Sequence, residues 1–377
     1  MSKILLLDTA FSAIPIYNYL IRQKHDVYVM GNRANDALAI KAGNKWINQN
    51  YSQVDAVKRI FSDLSFEYIV PGCTDLSLEV CQQVNDSLGT LDSSETYQHI
   101  GDKDKFRNLC GKLGIRSPQT VNIDEFPKSG RYIFKPVDAY SGKGITTVDG
   151  NDPGSINKAD KAAKLASPSQ RSLCEEFIEG QLYSYTSFLV NQNVVDSFTV
   201  IEGSSSNPFA VDTSYVIYDF PLETLNKLKK DVEAIAQHLQ LVDGLFHLQF
   251  ILSVDTPYFI EATRRCPGDL YSKLIEYSTG YDYAGKFAST YIDEAYETKT
   301  TLKNSIVRHT VSSHTTSFYD GLEFTNSSTV KAFYPLLGLG SLMLPNQETR
   351  VGILFLEHEN THELYQKLLE RNQLILN

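Results

Sequence analysis

The chain has 377 residues, 42% of them hydrophobic and 21% charged, with a formal net charge of -10. These proportions exclude a disordered chain, and the length exceeds one typical core, so two or three packed units are expected. The negative charge, with no cluster of Lys and Arg to offset it, argues against a nucleic-acid partner, and no apolar run is long enough to cross a bilayer.

Lys3 followed by the apolar residues 4–7 imitates a short signal peptide, but Asp8 breaks the run and no small-residue cleavage site follows. The segment therefore reads as a buried first strand, and the cytoplasm is the expected compartment. Residues 27–30 and 68–70 read as further buried strands, while 13–22, 54–64 and 76–84 carry apolar residues at helical spacing. That alternation predicts an N-terminal parallel α/β domain over residues 1–95. Its first turn, Asp8-Thr9-Ala10-Phe11-Ser12, lacks the glycine pattern that seats a dinucleotide, which argues against a nicotinamide cofactor. Five cysteines with no close pair argue against a disulfide framework or a zinc site, so all five are expected as thiols.

Residues 94–113 are helical in pattern, with Phe106, Leu109, Cys110 and Leu113 on one face and Gly114 as a stop. Strands are expected at 131–135, 145–148 and 172–174. A hairpin follows, 183–189 and 194–201, turning at Asn191-Gln192-Asn193. A long amphipathic helix covers 222–239, and strands 245–252 and 258–262 are joined by Asp255-Thr256-Pro257. An α+β piece closes the chain, with strands at 306–311 and 351–356 and a helix over 361–371.

Three stretches carry chemistry. A strand ending in Lys135 and followed by Ser141-Gly142-Lys143-Gly144 can close a glycine-hinged flap over phosphates, although by itself it reads as a surface hairpin. The run Glu175-Glu176-Phe177-Ile178, ahead of Gly180, can act as a hinge whose backbone offers an adenine ring one donor and one acceptor; alone it reads as an edge strand with solvated glutamates. If the strands holding Gln249 and Glu261 pair, both side chains can share a face and a Mg²⁺, with Arg265 neutralising a transferring phosphoryl group. The bland alternative for Glu261 is a salt bridge to an arginine.

In this order, the stretches resemble the ATP-grasp superfamily. The likeness is closest to its carboxylate-amine ligase branch, with biotin carboxylase, carbamoyl-phosphate synthetase and the L-amino-acid ligases, and covers nearly the whole chain. It implies an α/β and α+β multidomain protein: a pre-ATP-grasp domain over 1–95, an ATP-grasp core over 96–300 with its hinge near 175–180, and a C-terminal subdomain over 301–377. The resemblance implies that Lys103, in Gly101-Asp102-Lys103, and Lys135 hold ATP. Ser141, Gly142 and Gly144 cover the phosphates, and Glu175, Glu176, Phe177 and Ile178 line the nucleotide. It assigns Mg²⁺, or Mn²⁺ in its place, to Glu261, Gln249 and Thr263, and catalysis to Arg265 and Glu261. Small-molecule carboxylate and amine substrates follow, joined through an acyl phosphate with release of ADP, and a homodimer is compatible with the family.

The sequence departs from the family at three points. Gln249 stands where the first metal-bearing Glu is usual, Thr263 stands for Asn, and the position of the ribose-binding Glu holds Leu182. These departures keep open a non-catalytic nucleotide binder, and the scaffold also admits a non-amine acceptor. His247 should share the face of Gln249. By position, 202–208, Arg308 and His309 are expected near the substrate, with 203–207 composed like a flexible surface loop.

Overall fold

The computed structural model describes residues 1–84, 90–139, 142–323, 329–345 and 347–370. The chain opens with β1 (Lys3–Leu7), α1 (Ile14–Arg22), β2 (Asp26–Gly31), α2 (Ala37–Ala42), β3 (Trp46–Asn48), α3 (Val54–Asp63), β4 (Tyr68–Pro71) and α4 (Asp75–Val84). The four strands form a parallel sheet in the order β3-β2-β1-β4, as the alternation of apolar runs and amphipathic stretches requires. Ile4 to Leu7 are fully buried, because helices cover both faces of the sheet. Too short to show periodicity, α2 and β3 escape a reading of the sequence.

Next come α5 (Ser94–Gly101), α6 (Lys103–Lys112), β5 (Arg131–Pro136), β6 (Thr146–Asp149), α7 (Pro153–Ala166) and β7 (Ser172–Glu176). The expected single helix over 94–113 is two helices. Asp102 lies between them in an extended conformation, and its side chain accepts from the Lys105 N–H, so it caps α6 and breaks the run. Strands β6, β5 and β7 form a three-stranded antiparallel sheet backed by α7.

The remaining elements are β8 (Gln181–Val190), β9 (Asn193–Gly203), β10 (Thr213–Ile217), α8 (Leu222–Leu239), β11 (Gly244–Ser253), β12 (Thr256–Thr263), α9 (Tyr271–Thr279) and α10 (Tyr283–Tyr291). They are followed by β13 (Ile306–Ser312), β14 (Ser317–Phe318), β15 (Thr329–Pro335), β16 (Leu342–Met343), β17 (Arg350–Glu357) and α11 (Thr361–Leu369). Eight strands make one antiparallel sheet, β12-β11-β8-β9-β10-β13-β17-β15. The β8–β9 turn is a two-residue one at Asn191-Gln192, both with positive φ as such a hairpin demands, and Asn193 already pairs with Val190. Between β11 and β12 the turn falls on Val254-Asp255, one residue earlier than expected, with Val254 in the left-handed region. The expected closing helix ends at Leu369, and Arg371 lies outside the described residues.

One hydrophobic cluster runs from Ile4 and Leu20 through Tyr185, Phe246 and Phe287 to Phe355, so the parallel sheet and the large antiparallel sheet share a continuous core. All five cysteines are buried and free. Among the described residues no helix is long and apolar enough to cross a membrane.

Candidate active site

Lys103 is the first residue of α6, and Arg107 lies four residues on, hence on the same face. Arg107 grips the Glu175 carboxylate from one side, while the Lys135 ammonium lies 2.8 Å from its other oxygen. Glu175 has no exposed surface. Burial would raise its pKa, but Lys135 and Arg107 outweigh it and hold the carboxyl at about 2. Its side chain fixes Lys135 on β5 against α6, which leaves its backbone as the part the expected hinge could offer a nucleotide. Lys103 Nζ is 3.8 Å from Glu261 Oε2 and donates to the Ala139 carbonyl at 3.4 Å. One short helix therefore gathers the strand lysine, the strap before the glycine loop and the acid on β12.

Around the hinge, Glu176 accepts from the Gln119 N–H at 3.0 Å, and the Phe177 N–H donates to the Arg131 carbonyl at 2.9 Å. The Arg131 guanidinium lies 3.9 Å from the Phe177 ring centroid, and Ile178 is half-buried. Of the glycine loop, Ser141 lies outside the described residues. Gly142 and Gly144 both have φ of +70°, and a Cβ on Gly142 would lie 2.7 Å from the Phe209 carbonyl oxygen. Glycine is thus required where the loop meets the segment after β9.

On the large sheet Gln249 is directly opposite Glu261 across the β11–β12 pair, as two paired strands allow. The Glu261 side chain is 48% exposed, so its carboxylate remains accessible beside Lys103. The Gln249 amide donates to Glu202 Oε2 at 2.5 Å. Glu202 is a member of β9, not of an irregular stretch, and is buried among Ser184, Arg308 and Gln249. Burial, with a smaller push from Glu261, raises its pKa to about 6 against the pull of Ser184, Arg308 and Gln249. The Thr263 hydroxyl points elsewhere, 3.4 Å from Asp75 Oδ1 and 3.2 Å from the Tyr97 hydroxyl. Arg265 donates to Asp75 Oδ2 at 2.9 Å, so Thr263, at the end of β12, and Arg265, just beyond it, are both tied to the start of α4. Arg264 is a structural neighbour, buried against Asp92 and the Val242 carbonyl. His247 does share the face of Gln249, edge-on to Tyr271 at 5.1 Å, and burial, then the nearby Arg265, push its pKa down to about 3, so the ring is neutral.

Beyond Gly203 the chain is held by Asp212, which accepts from the Ser205 N–H and hydroxyl and from the Gln347 amide at 2.7 to 3.0 Å. Composition suggested a flexible loop; a buried carboxylate organises it instead. Nearby, the buried Arg308 donates to Ser214 Oγ at 2.9 Å and to the Asp269 carbonyl at 3.1 Å, and His309 meets Thr213 at 2.7 Å. Sequence reasoning missed Arg107 and Asp75. Helical spacing from Lys103 could have suggested Arg107, but no local pattern links Asp75 to Arg265.

Glu261 and the Gln249 side chain opposite it can offer hard oxygen donors, which suits Mg²⁺ held jointly with phosphate oxygens. Among the described residues no group of three or more His, Cys, Asp or Glu could hold a metal ion.

Residues 100–268 match the ATP-grasp domain family. A D-alanine--D-alanine ligase of Fusobacterium nucleatum subsp. nucleatum is 27% identical over 186 residues, covering 46% of this chain and 59% of the ligase. The chain thus spans less than two thirds of that relative. The crystal structure of L-amino acid ligase from Bacillus licheniformis superposes with a TM-score of 0.81 at 16% identity, covering 100% of this chain and 98% of the other. The biotin carboxylase domain of the Hydrogenobacter thermophilus 2-oxoglutarate carboxylase, a dimer in complex with MgADP, ADP and bicarbonate, gives 0.76 at 12% identity, covering 100% and 90%. Residues 100–268 are therefore an ATP-grasp domain, and the chain has the fold shared by L-amino acid ligase and biotin carboxylase.

Proposed function

We propose that the protein is an ATP-dependent ligase that activates a substrate carboxylate as an acyl phosphate, which an amine displaces to give an amide, ADP and phosphate. The observation that carries this reading is the meeting of Lys103, on a helix start, with Glu261, on a distant strand where it is paired directly with Gln249. A cation for phosphates and an acid for Mg²⁺ thereby stand at one place, as phosphoryl transfer needs. Lys135, fixed by Glu175, adds a second positive charge, and Gly142 and Gly144 let backbone N–H groups close over the phosphates. When bound with the nucleotide, Mg²⁺ would supply charge neutralisation for the phosphates. Glu261 and Gln249 would hold it. Thr263 is turned to Asp75 and lends it no oxygen in this arrangement.

Arg265, oriented by Asp75, stabilises charge as the carboxylate attacks in line, and the buried Arg308 offers a cation for a substrate anion. The L-amino acid ligase and D-alanine--D-alanine ligase likenesses support amino acids as the acid and the amine. The test is an ADP-release screen of carboxylic acids crossed with amino acids, with mass detection of the condensed product. ADP release that needs both partners, with a product lighter by one water than their sum, is the expected result. Nucleotide hydrolysis indifferent to every pair would overturn the ligase reading.

A further inference from the structure

We propose that Glu202 is a ligand of the divalent cation, supplying from β9 the second carboxylate that Gln249 does not provide from β11. The inference rests on the ATP-dependent reading above. It begins with Gln249, whose side chain lies across from Glu261 and touches Glu202: its amide donates to Glu202 Oε2 at 2.5 Å. One neutral side chain thus stands between two acids that come from strands two places apart on its other side and one place away on the first. The charge of Glu261 is close enough to be felt at Glu202.

Each acid has one cation beside it, Lys103 for Glu261 and Arg308 for Glu202. Burial makes the Glu202 charge costly, the more so in the field of Glu261, and a cation shared by the two carboxylates would offset that cost. With its N–H₂ held by Glu202, the Gln249 amide keeps its carbonyl oxygen as an acceptor. Two carboxylates and an amide oxygen, completed by phosphate oxygens and water, make a donor set of the kind Mg²⁺ takes. Thr263 is drawn away by Asp75 and Tyr97, so the charge and the third donor both come from a strand outside the β11–β12 pair.

The experiment is a titration with Mn²⁺ in place of Mg²⁺, followed by electron paramagnetic resonance, in the presence of ADP, with metal-free ADP binding measured by calorimetry. Glu202→Gln should weaken Mn²⁺ binding by about tenfold or more, since a neutral amide replaces an anionic ligand, and should leave metal-free ADP binding at the wild-type value. Adding Gln249→Glu to Glu202→Gln returns the lost charge to the neighbouring strand and should restore Mn²⁺ binding. Unchanged Mn²⁺ affinity in Glu202→Gln overturns the proposal. So does a loss that the double variant fails to recover, because Glu202 then acts only as a partner of Arg308. Should Glu202→Gln fail to fold, Glu202→Asp keeps the charge and withdraws it by one methylene; it must still weaken Mn²⁺ and spare metal-free ADP. A wild type that binds no ADP sinks the nucleotide reading and this inference together, whereas wild-type and variant proteins binding Mn²⁺ equally well in the presence of ADP sink the inference alone.

Discussion

A carboxylate without exposed surface is stable only when its charge is answered, and Glu175 is answered twice, by Lys135 and Arg107. Its pKa falls from an ordinary 4.5 to about 2, so its contribution to stability is complete above pH 4.5 and is lost as the pH falls toward 2. That contribution is of order 3 kcal/mol at neutral pH, from about 1.4 kcal/mol per pH unit of displacement. Glu175→Gln should therefore lower neutral-pH stability by roughly 3–5 kcal/mol, leaving two buried cations unanswered, and should flatten the acid limb of the stability profile between pH 4.5 and 2. Denaturant unfolding across that range checks both. At the same scale, Glu261→Ala should abolish turnover while changing the unfolding midpoint little, because its side chain is 48% exposed and meets Lys103 only at 3.8 Å. Full ATP turnover in that variant would remove Glu261 from the metal site.

Elements set the reach of these residues. Because Asp102 breaks the helical run and caps α6, Lys103 sits at the mouth of a helix, with Arg107 one turn behind it. The glycine loop depends on its neighbour in a similar way, since Gly142 lies against Phe209 in the segment organised by Asp212. Gly142→Ala adds a methyl at 2.7 Å from a backbone oxygen and demands a left-handed conformation of a residue that resists it. The loop and the 204–212 segment should separate. The expected readout is a KM for ATP raised about tenfold with stability nearly unchanged, and faster hydrogen exchange in both segments together. Faster exchange in the loop alone would show that the contact with Phe209 is incidental.

At the scale of the molecule, the parallel sheet and the antiparallel sheet meet in one hydrophobic core, and Asp75 adds a polar link between them. Asp75 stands at the start of α4 and takes hydrogen bonds from Thr263 and Arg265, at the far end of β12. The parallel unit thus orients the arginine of the ATP-grasp domain. Asp75→Asn should lower kcat by about tenfold or more, with KM for ATP altered far less, because Arg265 loses its orienting charge while the phosphate lysines stay in place. Equal losses in kcat and in nucleotide affinity would point to a general loosening instead. Nucleotide with Mg²⁺ should stabilise the whole assembly: at a hundredfold excess over Kd the gain is about 2.7 kcal/mol, and the unfolding midpoint should rise by several degrees. Calorimetry that finds no shift at millimolar ATP would count against nucleotide binding altogether.

What the sequence by itself determined is local and periodic. The buried runs at β1, β2 and β4, the span of α8 from Leu222 to Leu239, the β8–β9 hairpin and the pairing of the strands that carry Gln249 and Glu261 follow from apolar spacing and turn residues within some twenty positions. The direct opposition of those two residues depends instead on the Val254-Asp255 turn and the irregularity after Gln249. Lys135 and the glycines of the loop stood out because a phosphate site calls for a lysine and glycines after a strand, whereas Lys103 was singled out only through the resemblance to the ATP-grasp superfamily. Tertiary structure alone decided how the charges are shared. The Glu175 side chain is a buried anchor within the expected hinge; Thr263 was expected at the metal and its hydroxyl meets Asp75; Glu202 looked like the edge of a loop and lies inside β9. Each outcome depends on a partner brought from a distant part of the chain, 188 residues away for Asp75 and Thr263 and 47 for Glu202 and Gln249. A carboxylate has the same spelling whether water, a lysine or an amide answers its charge, and only packing in three dimensions selects among them.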